Sequence, residues 1–305
     1  MTHPRYVDLP TLAGLVSFPA AIDALESALR AGWPGQDPLR TSVPVQSGEF
    51  LLMPSESPRY AGIKVITVAP GNPARRLPRI QGIYVLHDAA SLTPLALFDA
   101  AALTTLRTPA ISAVATRHLA RPDATELVVA GTGPQALGHV HAMRAVRDIQ
   151  RIGVLGRTSE STDAFVKALG DIGISAYPAG ADDVPQAHIL CLCTTARNPV
   201  VPDDWIGDRV HLNVVGSHEP TAREVETATV ARSQVVVESR DAALTEAGDL
   251  VMALADGVPS TVIIADLAEL VRGVTIDPAK VTLFKSVGTG WEDLALAALA
   301  YELLS

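Results

Sequence analysis

Only two cysteines occur in the 305 residues of this chain, so no disulfide framework can hold it together. Cys191 and Cys193 lie two apart in the apolar run Ile189-Leu190-Cys191-Leu192-Cys193. That run reads as a buried strand with core thiols, and without a second ligand pair no metal site is expected there. An excess of basic charge is also missing. With 24 Lys and Arg against 33 Asp and Glu, the net charge of −9 gives no general surface for nucleic acid and leaves only local basic pockets possible. The histidines at 87, 118, 139, 141, 188 and 211 follow no metal-ligand spacing and read as surface or packing residues. His139 and His141, two apart on a helical stretch, do not share a face. No apolar run is long enough to span a bilayer, and Met1-Thr2-His3-Pro4-Arg5-Tyr6 is not a signal peptide, so a cytoplasmic protein is expected. Internal repeats and low-complexity linkers are lacking too. What remains is a globular chain, 48% hydrophobic and 19% charged, with enough residues for one large or two modest domains.

The most informative stretch runs from Glu126 to Thr158. A short apolar run, Leu127-Val128-Val129-Ala130, leads into Gly131-Thr132-Gly133-Pro134-Gln135-Ala136, then a helical pattern through Val146 and a second apolar run to Leu155-Gly156-Arg157-Thr158. This is strand, glycine turn, helix, strand: the first half of a dinucleotide-binding unit. Gly131 permits the sharp turn, Gly133 lets backbone approach a pyrophosphate, and Ala136 takes the third small position. The phosphates would sit on the free N–H groups at the positive end of the helix. The alternative is a structural turn in an α/β sheet.

Before this stretch the pattern is α+β. A helix starts at Pro19 and ends at Gly32 and Pro34. Strand-like segments follow at Gly48–Pro54, Tyr60–Val68, Arg79–His87 and Pro94–Phe98, and then a long helix at Ala100–Leu119. From Glu126 strands and helices alternate, which implies a parallel sheet covered on both faces. Strands are expected at 126–131, 151–156, 174–178, 187–193, 210–215 and 234–238. Helices are expected at 134–147, 159–170 and 222–231, near 241–255 and 265–271, and a last strand, Val281–Lys285, precedes a C-terminal helix at Trp291–Leu304. The fold class is α/β: a Rossmann-type domain at 121–287 inserted into an α+β substrate-binding and dimerisation domain at 1–120 plus 288–305.

An acid at the end of the second strand would select NAD(H) by binding the adenosine ribose hydroxyls. Here Gly156-Arg157-Thr158-Ser159 offers no carboxylate until Glu160. A guanidinium with neighbouring hydroxyls suits a 2′-phosphate, so NADP(H) is preferred over NAD(H). The bland alternative is that Arg157 is a solvated loop cation and Ser159 merely caps the next helix. Among basic residues of the first region, Arg40, Lys64 and Arg107 stand out. Lys64 lies inside the apolar strand Gly62-Ile63-Lys64-Val65-Ile66, and Arg107 inside an otherwise apolar helical stretch. Buried cations need partners: a substrate carboxylate, a cofactor phosphate, or an acid of this chain.

The pieces Leu52-Met53-Pro54, Gly62-Ile63-Lys64-Val65, Leu106-Arg107-Thr108, Gly131 to Ala136, Val215-Gly216-Ser217, Glu246-Ala247-Gly248-Asp249 and Phe284-Lys285-Ser286-Val287-Gly288, in this order, resemble the ornithine cyclodeaminase/μ-crystallin family. The resemblance implies a homodimer built by the α+β domain, a nicotinamide cofactor, and an interdomain site for a small amino or imino acid. It implies that Arg40 and Arg107 clamp the substrate carboxylate, that Lys64 is the acid/base residue, and that Glu246 and Ser286 lie at the substrate. Near two arginines the Lys64 pKa should fall, since like charges disfavour the ammonium form. Arg107, Thr108, Gly131, Thr132, Gly133, Pro134, Gln135, Arg157, Thr158, Thr194, Val215 and Gly216 match nucleotide contacts. Deaminating members carry an aspartate where this chain has His218. A histidine there could still move protons or simply contact the cofactor. The resemblance therefore favours NADPH-dependent ketimine reduction, for instance of Δ1-pyrroline-2-carboxylate, or its reverse, amino-acid dehydrogenation. The alternatives are ornithine cyclodeaminase-type ammonia elimination and a non-catalytic NADPH- or small-ligand-binding protein.

Overall fold

The structure, a computed structural model, describes residues 4–33, 37–277 and 279–304. Pro34, expected to end the first long helix, and Met1 to His3 of the N-terminal stretch lie outside the described residues. In chain order the first elements are β1 (Arg5–Val7), α1 (Leu9–Leu15), α2 (Phe18–Arg30), β2 (Thr41–Val45), β3 (Gly48–Glu56) and β4 (Tyr60–Val68). Next come β5 (Ile80–Asp88), β6 (Pro94–Asp99), α3 (Ala100–Leu119), β7 (Glu126–Ala130), α4 (Pro134–Val146), β8 (Arg151–Leu155), α5 (Ser159–Asp171) and β9 (Tyr177–Pro178). The rest are β10 (Ile189–Leu192), β11 (His211–Val214), α6 (Thr227–Arg232), β12 (Gln234–Val237), α7 (Arg240–Glu246), α8 (Gly248–Ala255), β13 (Ile263–Asp266), α9 (Leu267–Val271), β14 (Thr282–Lys285) and α10 (Gly290–Leu303).

The chain divides into two units, one of residues 1–107 with 289–305 and one of residues 108–288. The division runs through α3, upstream of the 120/121 boundary expected from sequence. The first unit is built on a six-stranded sheet ordered β1-β6-β5-β4-β3-β2, antiparallel except for the β1–β6 pair. Strand alternation sends Met53, Lys64, Tyr84 and Phe98 to one face, in register with one another, and all four are buried. Helix α10 packs on β3 and β4 at that face and also contacts α2. The opposite face carries Val43, Val45, Phe50 and Ile83, all exposed, beside half-buried Leu52, Ile63, Val65, Val85 and Leu97.

The second unit holds an eight-stranded parallel sheet ordered β13-β12-β14-β11-β10-β7-β8-β9. Strands β7, β10 and β12 carry the apolar runs 127–130, 189–192 and 235–237, as sheets covered on both faces require, while β11 and β14 also bury His211, Asn213, Thr282 and Lys285. Sequence order reverses between β7 and β10, so the crevice where open α/β sheets bind ligands lies at the carboxyl ends of those two strands. At the opposite, amino-terminal end of the strands the end of α3 is anchored: the Arg147 guanidinium donates to the carbonyls of Thr116, Arg117, Ala120 and Arg121.

Three expectations need correction. The stretch 222–231 is helical only from Thr227, because the backbone N–H groups of Glu224 and Val225 donate to Asp249 and cannot enter a helix. The stretch 241–255 breaks into α7 and α8 at Ala247. There Gly248 lies so close to the 219–222 loop that a Cβ would stand 2.0 Å from the Ala222 carbonyl oxygen. Of the helix expected near 265–271, residues 265 and 266 belong instead to the edge strand β13, and Asp266 and Glu269 close a capping box on α9, which starts at Leu267. Among the described residues no single helix is long and apolar enough to cross a membrane.

Candidate active site

The cations of the first unit are set by its sheet and by α10. Lys64, in mid-β4, points to the buried face and is fully enclosed. A lysine there would be costly unpaired. Its Nζ donates to Asp293 Oδ2 at 2.6 Å. Arg107, 6% exposed, donates from Nη1 to Glu292 Oε2 at 2.9 Å, and its Nε lies 3.8 Å from Asp293 Oδ1. Glu292 and Asp293 are both fully buried in the first turn of α10, where acids also complement the helix dipole. Two cations therefore meet two anions, and the partners of Lys64 and Arg107 are acids of this chain.

Sequence reasoning missed both acids. The available signal was Trp291-Glu292-Asp293 opening a helix that is otherwise Ala- and Leu-rich and apolar all round, a pattern that buries whatever charges it holds. Burial lowers the Lys64 pKa from 10.5 to about 8; Asp293 opposes the fall and Arg107 adds to it. The expected direction holds, but its cause is corrected: desolvation is the largest contribution and Arg107 is the arginine involved. Tyr84, across the strand pair from Lys64, is also buried, and its hydroxyl pKa is pushed up by burial and then by Asp293 and Asp37. Arg40, half-buried, immediately precedes Thr41, the partner of Leu52 in β3. That places it at the end of the Met53–Lys64–Tyr84 row, with β2 and β3 carrying it two strand spacings, about 10 Å, from the Lys64 backbone.

In the second unit Gly131 has φ +119°, and a Cβ there would stand 2.6 Å from the Cys193 carbonyl oxygen. Glycine is thus required where the loops after β7 and β10 cross. Gly133 is the N-cap of α4 with no side-chain cap, and a Cβ on it would meet nothing within 4 Å. Thr132, Pro134 and Gln135 complete this turn. The group the motif calls for is a pyrophosphate, and the geometry fits it: a helix start without a side-chain cap, open space above a glycine, and a position at the crevice of the sheet. Arg157 is exposed after β8, and Thr158 is the N-cap of α5, paired with Ser161 in a capping box. Thr158 therefore does the capping that one reading gave to Ser159.

Thr194 and Gly216, in the loops after β10 and β11, are brought together by a residue not foreseen, Glu224, whose carboxylate accepts from both. Ser286 is buried and its N–H donates to Val214 O. Val215 and His218 are half-buried in the loop after β11, and Glu246 is the half-buried last residue of α7. Thr108 is buried in α3. Histidines expected to pack do so at 139, 188 and 211. His139 bonds Gln135 O and Ser112 Oγ, His211 bonds Thr282 Oγ1, and His188 Nδ1 accepts from Thr125 N. Burial pushes the Cys191 thiol up to about 12, which makes it an inert core group.

The family model for the ornithine cyclodeaminase/mu-crystallin family matches residues 11–305. The chain belongs to this family. Among its relatives is a Delta(1)-pyrroline-2-carboxylate reductase of Bacillus cereus, 38% identical over 277 residues, covering 87% of this chain and 85% of that protein. The ketimine reductase mu-crystallin of Rattus norvegicus is 32% identical over 294 residues, covering 92% and 91%. Of solved family structures, the Thermococcus litoralis Delta(1)-pyrroline-2-carboxylate reductase in complex with NADH and L-proline superposes with a TM-score of 0.91 at 34% identity, covering 98% of this chain and 97% of that one.

Proposed function

We propose that this protein is an NAD(P)H-dependent imine reductase that converts a small α-imino acid of the Δ1-pyrroline-2-carboxylate class to the amino acid, with NADP(H) preferred. The observation that carries the reading is Lys64: a fully enclosed ammonium, pKa about 8, held at 2.6 Å by Asp293 beside Arg107. A pKa near the working pH is what a proton donor needs. Arg40 and Arg107 orient the substrate carboxylate. Lys64 keeps a proton on the imine nitrogen, which makes the adjacent carbon electrophilic, and it is reprotonated from solvent. Bound NAD(P)H supplies the hydride that carbon accepts. In sum, imino acid, NAD(P)H and one proton become amino acid and NAD(P)+.

The turn at 131–135 holds the pyrophosphate, and Arg157, with no carboxylate between Gly156 and Ser159, favours the 2′-phosphate of NADP(H). His218, in place of an aspartate, argues against ammonia elimination. The exposed apolar face bearing Val43, Val45, Phe50 and Ile83 supports a homodimer formed through the first unit's sheet, since a monomer rarely leaves such a patch open. NADPH oxidation across a panel of cyclic and acyclic imino acids tests the reading. Turnover with stoichiometric amino-acid formation supports it. Ammonia release from ornithine with no net change in NADPH would replace it with the cyclodeaminase reading, and coenzyme binding without turnover would replace it with a binding role.

A further inference from the structure

The second unit contains a buried ionic chain that the proposed chemistry does not use. Glu224 is fully enclosed in irregular backbone between β11 and α6. Its Oε1 accepts from Thr194 N at 2.8 Å and Thr194 Oγ1 at 2.7 Å, and its Oε2 accepts from Gly216 N at 2.7 Å. One carboxylate therefore ties the loop after β10 to the loop after β11. Glu224 is held in turn, because its own N–H and that of Val225 donate to Asp249 Oδ1 at 2.6 and 3.1 Å. Asp249, in the first turn of α8, has its other oxygen 2.9 Å from Lys285 Nζ. Lys285 ends β14 and donates to Ser217 O at 2.7 Å. Asp249 and Lys285 are each 1% exposed.

The glycines around the chain are shaped to it. A Cβ at Gly216 would stand 2.4 Å from Glu224 Oε1 and 2.1 Å from the Thr194 carbonyl oxygen. Glycine at 216 is thus required by the carboxylate packed against it, whatever ligand approaches from outside. Four loop amides with no strand partner, those of Thr194, Gly216, Glu224 and Val225, are satisfied by two carboxylates. Lys285 balances part of that charge, and removing it alone would strand two anions in the interior.

We propose that Glu224, Asp249 and Lys285 are positioning residues that fix the two loops on which the nicotinamide half of the coenzyme rests. This depends on the coenzyme reading above. The glycine turn after β7 takes the pyrophosphate and Arg157 after β8 lies on the adenosine side, so the second mononucleotide falls to the loops after β10 and β11. A hydride donor displaced by about 1 Å loses about a hundredfold in rate, so a clasp that fixes these loops acts on turnover more than on affinity.

The test is Glu224→Gln, whose amide nitrogen cannot accept from Gly216 N while its size is kept. Expected are a cooperative thermal transition, 2′,5′-ADP affinity within about threefold of wild type, weaker binding of nicotinamide mononucleotide, and kcat down at least about tenfold with the KM for NADPH changed less. Asp249→Asn is the second variant, should the first not fold. It keeps Oδ1 as acceptor for the two amides, removes the charge facing Lys285, and should show the same split at a smaller size. Unchanged kcat in a folded Glu224→Gln protein overturns the proposal, as does equal weakening of both fragments. A wild-type chain that binds neither coenzyme overturns the coenzyme reading itself, and this proposal with it.

Discussion

Replacing Asp293 by asparagine isolates the electrostatics on which Lys64 depends. The amide keeps the shape and an acceptor oxygen for Nζ but removes the charge at 2.6 Å. Of the influences on Lys64, burial and Arg107 lower its pKa, while Asp293 and, more weakly, Glu292 raise it. Loss of one opposing charge at this range shifts a pKa by about 1–3 units, which takes Lys64 from about 8 to about 6. At pH 7 the protonated fraction would then fall from roughly nine-tenths to roughly one-tenth, a loss of about tenfold in kcat/KM at that pH. The assay is kcat/KM for imine reduction from about pH 5 to about pH 10. The alkaline limb should move down by about one to three units, and activity should recover on the acid side. Stability runs the other way. Because the folded pKa lies below the unfolded 10.5, the unfolded chain binds this proton more tightly. The Lys64 contribution to stability therefore rises by about 3 kcal/mol as pH climbs from about 8 to about 10.5. Breaking a buried pair also costs about 3–5 kcal/mol, so a melting curve must accompany the kinetics. A pH profile for folded Asp293→Asn that overlays wild type would refute the coupling.

The two glycines of the nucleotide turn should separate stability from binding. Gly131→Ala forces a Cβ to 2.6 Å from Cys193 O at φ +119° and should destabilise by about 1–3 kcal/mol, read by thermal unfolding. Gly133→Ala, with open space and an ordinary φ of −99°, should leave the melting temperature unchanged and weaken NADP+ by about tenfold or more in a titration. Arg157→Asp should reverse the ratio of NADPH to NADH affinities, and an unchanged ratio would remove the 2′-phosphate assignment. Phe50→Glu, on the exposed apolar sheet face, should shift a dimer towards monomer in sedimentation, and a wild-type monomer would contradict the dimer proposal.

The strand–turn–helix at 126–146 was legible because its glycines, apolar run and helical period agree. Tyr60–Val68 was legible as a β-branched run bounded by turn residues, and Ala100–Leu119 as a long Ala-rich apolar stretch. Strand β2 was not, since Pro44 argues against a strand and is tolerated only because β2 lies at the sheet edge. Strand β1, three residues long, carries too little pattern to read. At the site, Lys64 and Arg107 could be picked out as charges in apolar surroundings. Glu292 and Asp293 could not be matched to them, because partners 185 to 229 residues apart meet only through the tertiary fold. Glu224 lies in a stretch that reads as helix, and its role follows from amides that no local pattern reveals.

The most direct measurement is the product formed from Δ1-pyrroline-2-carboxylate and NADPH by wild type and by Lys64→Ala. Wild type should yield one proline per NADPH oxidised, and the folded variant should lose about a hundredfold or more in kcat/KM. Full activity in Lys64→Ala, or NADPH oxidation without proline, would contradict the account.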